Sequence, residues 1–291
     1  MDLNAVSVSY KGLRDSNEDA LDIQTHSKTK LFAIYDGHGG ANVSSYLKKN
    51  LPPYFINETI PIKKTVINKR FKEIQQNLIK SNKIIAEEMG STCLCALVNE
   101  NKLQVMNVGD CRAVIANNKK AIQLTDDHKP NSKVERARIS KIKGNEKIYN
   151  DGGIWRIGPL SVSRSFGDTD TDKYISQTPD ILSYNLSSKD DFIVLGCDGL
   201  WDVMKNNEVV KFIYENPVNT VRKLGSEALK RGSNDNISII IVYFKHNNQN
   251  GGVKSIQNPI TTSSSKPKVI SSSSKPKVIS TSKPKVISSS K

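Results

Sequence analysis

The stretch Leu31–Gly40, LFAIYDGHGG, decides how the rest of the chain is read. Five apolar or aromatic residues run into Asp36, Gly37, His38, Gly39 and Gly40. The run is too short for a helix with its own face and ends in glycines. It reads as a buried β-strand that delivers an acid and a histidine to a tight turn. A carboxylate at a buried strand end is costly unless something positive meets it. Carboxylate and carbonyl oxygens suit a hard cation such as Mg²⁺ or Mn²⁺.

Working outward, Ala5–Tyr10 alternates as a half-buried strand, and Leu21 and Ile23 resume one after the polar turn that carries Arg14, Glu18 and Asp19. Residues 41–50 read as a helix. Apolar residues at helical spacing from Pro61 to Met89 predict one long or two consecutive amphipathic helices, stopped by Gly90. Residues 93–98, 103–108, 112–116 and 121–124 read as short strands of an antiparallel meander, and 135–143 as a short helix. DFIVL (191–195) ends in Cys197-Asp198-Gly199, a second version of the opening design. Helices are expected at 207–215 and 219–231, and a last buried strand at 237–244. Strands in antiparallel runs, with helices inserted in two places, predict an α+β fold with two packed sheets and a site at one edge.

Composition divides the chain. Its formal charge is +14, but residues 247–291 hold eight lysines and no acid, which leaves +6 on the remainder. The expected organisation is a folded domain at 1–246 and a disordered basic tail at 247–291, where SerLysProLysValIle begins at Ser265, Ser274 and Ser282. A mildly basic domain without zinc-finger or RNP motifs does not point to nucleic acid, though the tail is free to make weak acidic contacts. No run of about 18 apolar residues predicts a membrane span, and neither a secretory leader nor a myristoylation glycine is read at the N-terminus. Cytoplasm is the default compartment, with the nucleus open. Cys93, Cys95, Cys111 and Cys197 are expected to be free buried thiols. Cys93 and Cys95 share a strand face.

Asp19, Asp36, Asp110, Asp198 and Asp235 each follow an apolar run or sit in a turn. If those ends converge, the site is dense in negative charge and calls for divalent cations. Two metals about 4 Å apart make a water nucleophilic at neutral pH. Arg14 is the nearest cation for an anionic substrate, and His38 the nearest acid for a leaving group. The chemistry so assembled is metal-assisted hydrolysis of a phosphate ester.

Those residues sit in motifs that resemble the metal-dependent serine/threonine protein phosphatases of type 2C. The matching stretches are RDSNEDA (14–20), LFAIYDGHGG (31–40), GSTCLCALV (90–98), NVGDCRAVI (107–115), LTDDHKP (124–130), ERARI (135–139), GPLSVSRSFGD (158–168), DFIVLGCDGLWDV (191–203) and GSNDNISIIIV (232–242). The resemblance implies a central antiparallel β-sandwich of two sheets, flanked on both sides by helices, with metals at one end. It implies that Asp36 bridges two Mg²⁺ or Mn²⁺ ions, that Gly37 offers its carbonyl, and that Asp198 and Asp235 are direct ligands. On the same resemblance, Glu18 and Asp19 are expected to act mainly through metal-bound water, and Asp110 to join Asp198 at a weaker third metal. The resemblance further implies that Arg14 binds phosphate, that His38 is the general acid, and that a metal-bridging hydroxide attacks phosphorus without a phosphoenzyme. Phosphoserine and phosphothreonine proteins are the implied substrates of a monomeric enzyme. A catalytically silent phosphoprotein-binding module of the same fold is the alternative. Arg112 and Arg164 are expected to serve in structural ion pairs, and Cys197 in packing. Residues 141–155 and the stretch after Asp168 should form a flap beside the cleft.

Overall fold

The computed structural model describes residues 2–143, 148–171 and 173–245. The expected tail lies outside them. In chain order the elements are β1 (Asp2–Tyr10), β2 (Ala20–His26), β3 (Thr29–Tyr35), β4 (Gly37–His38), α1 (Asn42–Asn50), α2 (Lys64–Ser81), α3 (Lys83–Glu88), β5 (Gly90–Ser91), β6 (Cys93–Asn99), β7 (Lys102–Val108), β8 (Arg112–Asn117) and β9 (Lys120–Gln123). There follow α4 (Lys133–Ile139), β10 (Ile148–Asp151), β11 (Ile154–Ile157), β12 (Phe166–Gly167), β13 (Asp180–Asn185), β14 (Asp190–Gly196), α5 (Asp198–Trp201), α6 (Asn206–Glu215), α7 (Thr220–Lys230) and β15 (Ile237–Lys245).

Two five-stranded antiparallel sheets form the centre, in the orders β1-β15-β14-β8-β9 and β13-β7-β6-β3-β2. The strand β3 shows why its sequence is continuously apolar. Phe32 and Ile34 enter the core between the sheets, with Ile115, Leu195 and Ile240. Leu31, Ala33 and Tyr35 face the other way, against Leu47, Ile67 and Phe71 of the helices. A strand buried on both faces has no polar alternation to show. On the far side, Val194, Ile239 and Ile241 pack against Val210 and Leu224 of α6 and α7. The expected sandwich with helices on both sides is therefore the observed architecture.

Three expectations are refined. The helical stretch before Gly90 is two helices, because Asn82 is extended and its side chain accepts from the Ile85 N–H to start α3. The meander after Cys93 is not one sheet. β6 and β7 belong to one and β8 and β9 to the other, and the chain crosses at Val108-Gly109-Asp110. Gly109 makes that crossing with φ +108°, and a Cβ there would lie 2.5 Å from the Thr92 side chain. The helix expected at 135–143 starts at Lys133, with Ser132 as its N-cap, and ends at Ile139. Beyond it, Ile139, Ile157, Tyr174 and Ile175 make a small separate core under the β10–β11 hairpin. That core joins the two segments expected to form the flap, and residues 144–147 and Asp172 lie outside the described residues. All four cysteines are free and buried, with Cys93 and Cys95 together on the helix side of their sheet.

Candidate metal centre

The acids come from strand ends that the sandwich brings to one edge. Asp36 follows β3, Asp110 follows the crossing after β7, and Asp198 follows β14. Asp235 precedes β15, and Glu18 and Asp19 precede β2. The backbone of Asp36 is fixed by Thr92, whose N–H donates to the Asp36 carbonyl (2.8 Å) and whose hydroxyl accepts from the Asp36 N–H (3.1 Å).

Ligand atoms of Asp36, Cys197 and Asp198 all lie within 4.8 Å of one another. Asp36 and Asp198 keep some contact with solvent, so they form the floor of a cleft rather than a sealed core. Burial first, then the surrounding carboxylates, push both well above the ordinary carboxylate range. For Asp36 those neighbours are Asp19, Asp198, Asp110 and Asp235. For Asp198 they are Asp110, Asp235 and Asp202, with Lys129 opposing. Both carboxylate oxygens of Asp19 are buried without a hydrogen-bond partner among the described residues. Burial, with the charge of Asp235, lifts Asp19 to about 6. Ser238 and Cys197 lie near enough to temper the rise but do not meet hydrogen-bond geometry.

Asp110 and Asp235 stand at the margins, each beside a cation. Asp110 is 2 % exposed and is lifted to about 6 by burial, although Lys129 Nζ lies 3.8 Å from its Oδ2. Lys129 also donates to Asp202 (2.9 Å). Asp235 Oδ2 accepts from Arg14 Nη2 at 2.6 Å, and the Arg14 side chain is 60 % exposed. The predicted phosphate ligand and a predicted metal ligand are thus in direct contact at the cleft mouth. The Glu18 carboxylate faces the glycine turn, accepting from the Gly40 N–H and the Ser16 hydroxyl at 3.1 Å each.

His38 stands on the rim, with its side chain 31 % exposed. Burial works against a charged ring, but the hydrogen bond and charge of Asp168, helped by Asp110 and Glu18, outweigh it and raise the His38 pKa. Arg112 and Arg164 take the structural parts expected of them. Arg112 forms a fork on Asp127 (2.9 and 2.6 Å) and lies over the Trp201 ring. Arg164 bridges Glu135 and Asp180.

Three contributors were not read from the sequence. Asn236 accepts from the Glu18 N–H (2.8 Å) and donates to the carbonyls of Lys11 and Ser16. It therefore holds the loop that carries Arg14. Lys129 is the cation beside Asp110, and Asp168 pairs with His38. The NDN, DHKP and FGD stretches that contain them were visible, but which side chain met which was not.

The donor set fits hard divalent cations. It offers oxygen donors that repel one another, relieved only in part by Lys129 beside Asp110 and Arg14 on Asp235, and a buried Asp19 carboxyl with no hydrogen-bond partner among the described residues.

The family model for Protein phosphatase 2C matches residues 5–237, and the chain belongs to that family. A rice relative, "Probable protein phosphatase 2C 52", is 37% identical over 256 residues, covering 84% of this chain and 51% of its own. An Arabidopsis thaliana relative, "Probable protein phosphatase 2C 76", is 36% identical over 251 residues, covering 82% and 58%. The chain thus spans little more than half the length of these two relatives. Among solved structures, serine-threonine phosphatase 2C from Toxoplasma gondii superposes with TM-score 0.71 at 22% identity, over 84% of this chain and 95% of that one. Serine/threonine phosphatase Stp1 from Staphylococcus aureus does so with TM-score 0.65 at 26% identity, over 84% and 96%.

Proposed function

We propose that the chain is a Mg²⁺- or Mn²⁺-dependent phosphatase of phosphoserine and phosphothreonine in proteins. The observation that carries this reading is the acid floor, where Asp36, Asp198, Asp19 and Asp110 are all held above the ordinary carboxylate range. Ionising such a floor sets its carboxylates against one another, and divalent cations on it would relieve that repulsion. Asp36, the Gly37 carbonyl, Asp198 and Asp235 would hold two ions, and Asp110 with Asp198 a weaker third. Bound ions would supply Lewis acidity and a water acidic enough to attack phosphorus at neutral pH.

The remaining work belongs to the chain's own groups. Arg14, exposed and already facing Asp235, is placed to take a phosphate oxygen at the mouth. The Asp168 carboxylate makes the His38 ring hold a proton more tightly than a free imidazole, which suits it to protonate the departing serine or threonine oxygen. Glu18 and Asn236 keep the loops carrying Gly40 and Arg14 in place. No helix among the described residues is long and apolar enough to cross a membrane. A monomeric, cytoplasmic protein remains the expectation that goes with this reading.

The test is hydrolysis of p-nitrophenyl phosphate and of a phosphothreonine peptide, each with Mn²⁺ and with EDTA. Turnover that requires Mn²⁺ is expected on both. Binding of the phosphopeptide without turnover in either condition would instead establish the silent module.

A further inference from the structure

His38 Nε2 lies 2.9 Å from Oδ1 and 2.8 Å from Oδ2 of Asp168. The two side chains differ in exposure, at 31% for His38 and 5% for Asp168, so the carboxylate stands behind the ring. The Ser165 hydroxyl donates to Asp168 Oδ2 and fixes the carboxylate in turn.

The backbone is arranged around this pair. The strands β4, β5 and β12 form a small sheet in which His38 pairs with Gly90, and Gly90 with Gly167. Asp168, the next residue, therefore meets His38 across Gly90. A Cβ on Gly90 would lie 2.1 Å from Asp168 Oδ2 and 2.2 Å from His38 Nε2, so the contact requires glycine there. Asp168 itself adopts φ +51°, a left-handed conformation uncommon for a residue with a side chain. Its N–H donates to the Met89 carbonyl (3.1 Å), and its carbonyl accepts from the Thr171 N–H (3.0 Å). A glycine, a left-handed aspartate and a buried hydroxyl all serve one contact with the ring.

We propose that Asp168 is a positioning residue for proton transfer by His38. It holds Nε2–H and so leaves Nδ1 as the nitrogen that serves the leaving group. A buried carboxylate behind an imidazole fixes both its orientation and its tautomer. In the step, a water oxygen forms the new bond to phosphorus, and the bond from phosphorus to the serine or threonine oxygen breaks. The electron pair of that bond goes to the leaving oxygen, which takes the proton from Nδ1. His38 is left neutral with its remaining proton on Nε2 toward Asp168. The proton lost by the water goes to solvent, from which His38 is recharged. This inference rests on the phosphatase reading and on His38 as its acid.

The experiment uses the full chain with Asp168→Asn, Gly90→Ala, His38→Gln and the Asp168→Asn/His38→Gln double variant. General acids contribute about 10²–10⁴-fold, most where the leaving group is poor. Asp168→Asn should therefore lose roughly 100-fold on a phosphothreonine peptide and under about 10-fold on p-nitrophenyl phosphate. The double variant should be no slower than His38→Gln alone. Mn²⁺ affinity by calorimetry should be unchanged. Gly90→Ala, which displaces the pair but keeps both side chains, should show the same split and stands in if Asp168→Asn does not fold. As a readout independent of turnover, ring ¹⁵N shifts of His38 in the metal-free protein, followed up to a pH at which the ring is neutral, should show protonated Nε2 in the wild type and mixed tautomers in Asp168→Asn. Equal losses on both substrates, losses that multiply in the double variant, or unchanged ring shifts would each overturn the proposal. If the wild type hydrolyses neither substrate, the phosphatase reading fails, and the ring shifts still decide whether Asp168 sets the tautomer.

Discussion

Two buried acidic regions of this molecule contain the same kinds of residue and behave in opposite ways. Beside the flap, Glu135 is 0% exposed and accepts from Arg164 (3.0 and 2.6 Å), Arg138 (2.9 Å) and the Ser163 hydroxyl. Burial alone would raise its pKa, but the two guanidinium groups reverse this and hold it at about 2. Asp180 accepts from His128 (3.1 Å) and Arg164 (2.8 Å) and is likewise held at about 2. At the cleft floor Asp36 and Asp198 are pushed far up, and Asp19 and Asp110 to about 6. Glu135 is as buried as Asp110, so burial does not distinguish the two regions. What differs is whether the fold supplies the opposing charge. The chain neutralises Glu135 and Asp180 where they hold structure together, and leaves Asp36 and Asp198 facing other carboxylates, with Lys129 and Arg14 only at the margins.

Removing one charge from each region should therefore have opposite consequences. Asp36→Asn or Asp198→Asn should cut turnover by roughly 10³-fold, since a metal supplies several kcal/mol of transition-state stabilisation and each 1.36 kcal/mol is tenfold. The same variants should leave the metal-free protein as stable as the wild type or more so, because a repelling charge has gone. Activity with Mn²⁺ and urea midpoints in EDTA measure the two effects. A large loss of metal-free stability would break the comparison. Glu135→Gln or Arg164→Met should instead strand a buried charge and cost about 3–5 kcal/mol of stability. Activity per folded molecule should change far less, and a variant as stable as wild type would show that the flap network does not hold structure.

The pH dependence sharpens the contrast. Glu135 and Asp180 bind protons less readily in the fold than their ordinary values of 4.5 and 3.8. Their contribution is complete above about pH 4.5 and is lost as pH falls toward about 2. It is discounted for Asp180, whose side chain is 46% exposed. Asp19 and Asp110 go the other way, from 3.8 to about 6. Each favours the folded state while protonated, so the metal-free fold loses stability as pH rises from about 4 to about 6. Asp36 and Asp198 extend that loss to higher pH. The expected result is a gap between melting curves in Mn²⁺ and in EDTA that widens upward from pH 4. A gap of constant size would remove the floor's repulsion from the account.

The legible parts of this arrangement are local. β3 was visible because a strand buried on both faces is a continuous apolar run that ends in glycine. Asp36 and Asp198 stood out because each precedes a glycine at such an end. The crossing at Gly109 was hidden, since short strands separated by turns look alike whether or not the chain changes sheet. β13 was missed because its residues are half or fully exposed at an edge and show no alternation. The four-residue α5 is too short for a period. Asp168 acts on His38 across 130 positions, and Asn236 on Glu18 across 218, so no spacing could reveal either.

Smaller effects probe the border between the regions. Arg14→Ala should chiefly raise the Michaelis constant, because a phosphate ligand at an exposed mouth serves ground and transition states alike. A fall confined to kcat would move Arg14 into the chemistry. Cys197→Ser should do least. The thiol sits within 4.8 Å of the Asp36 and Asp198 carboxylates, yet burial and those charges push its pKa far up and keep it neutral. It donates to the Asn236 carbonyl (3.3 Å) and accepts from the Ser238 N–H (3.1 Å), and a serine hydroxyl can do both. The substitution nearly conserves volume and satisfies its polar atom, so a cost of about 1.5 kcal/mol or less is expected, read as a small shift in melting temperature. Mn²⁺ affinity should be unaltered. If Cys197→Ser instead weakens metal binding tenfold, sulfur belongs to the floor's donor set, and the floor is not built of oxygen alone.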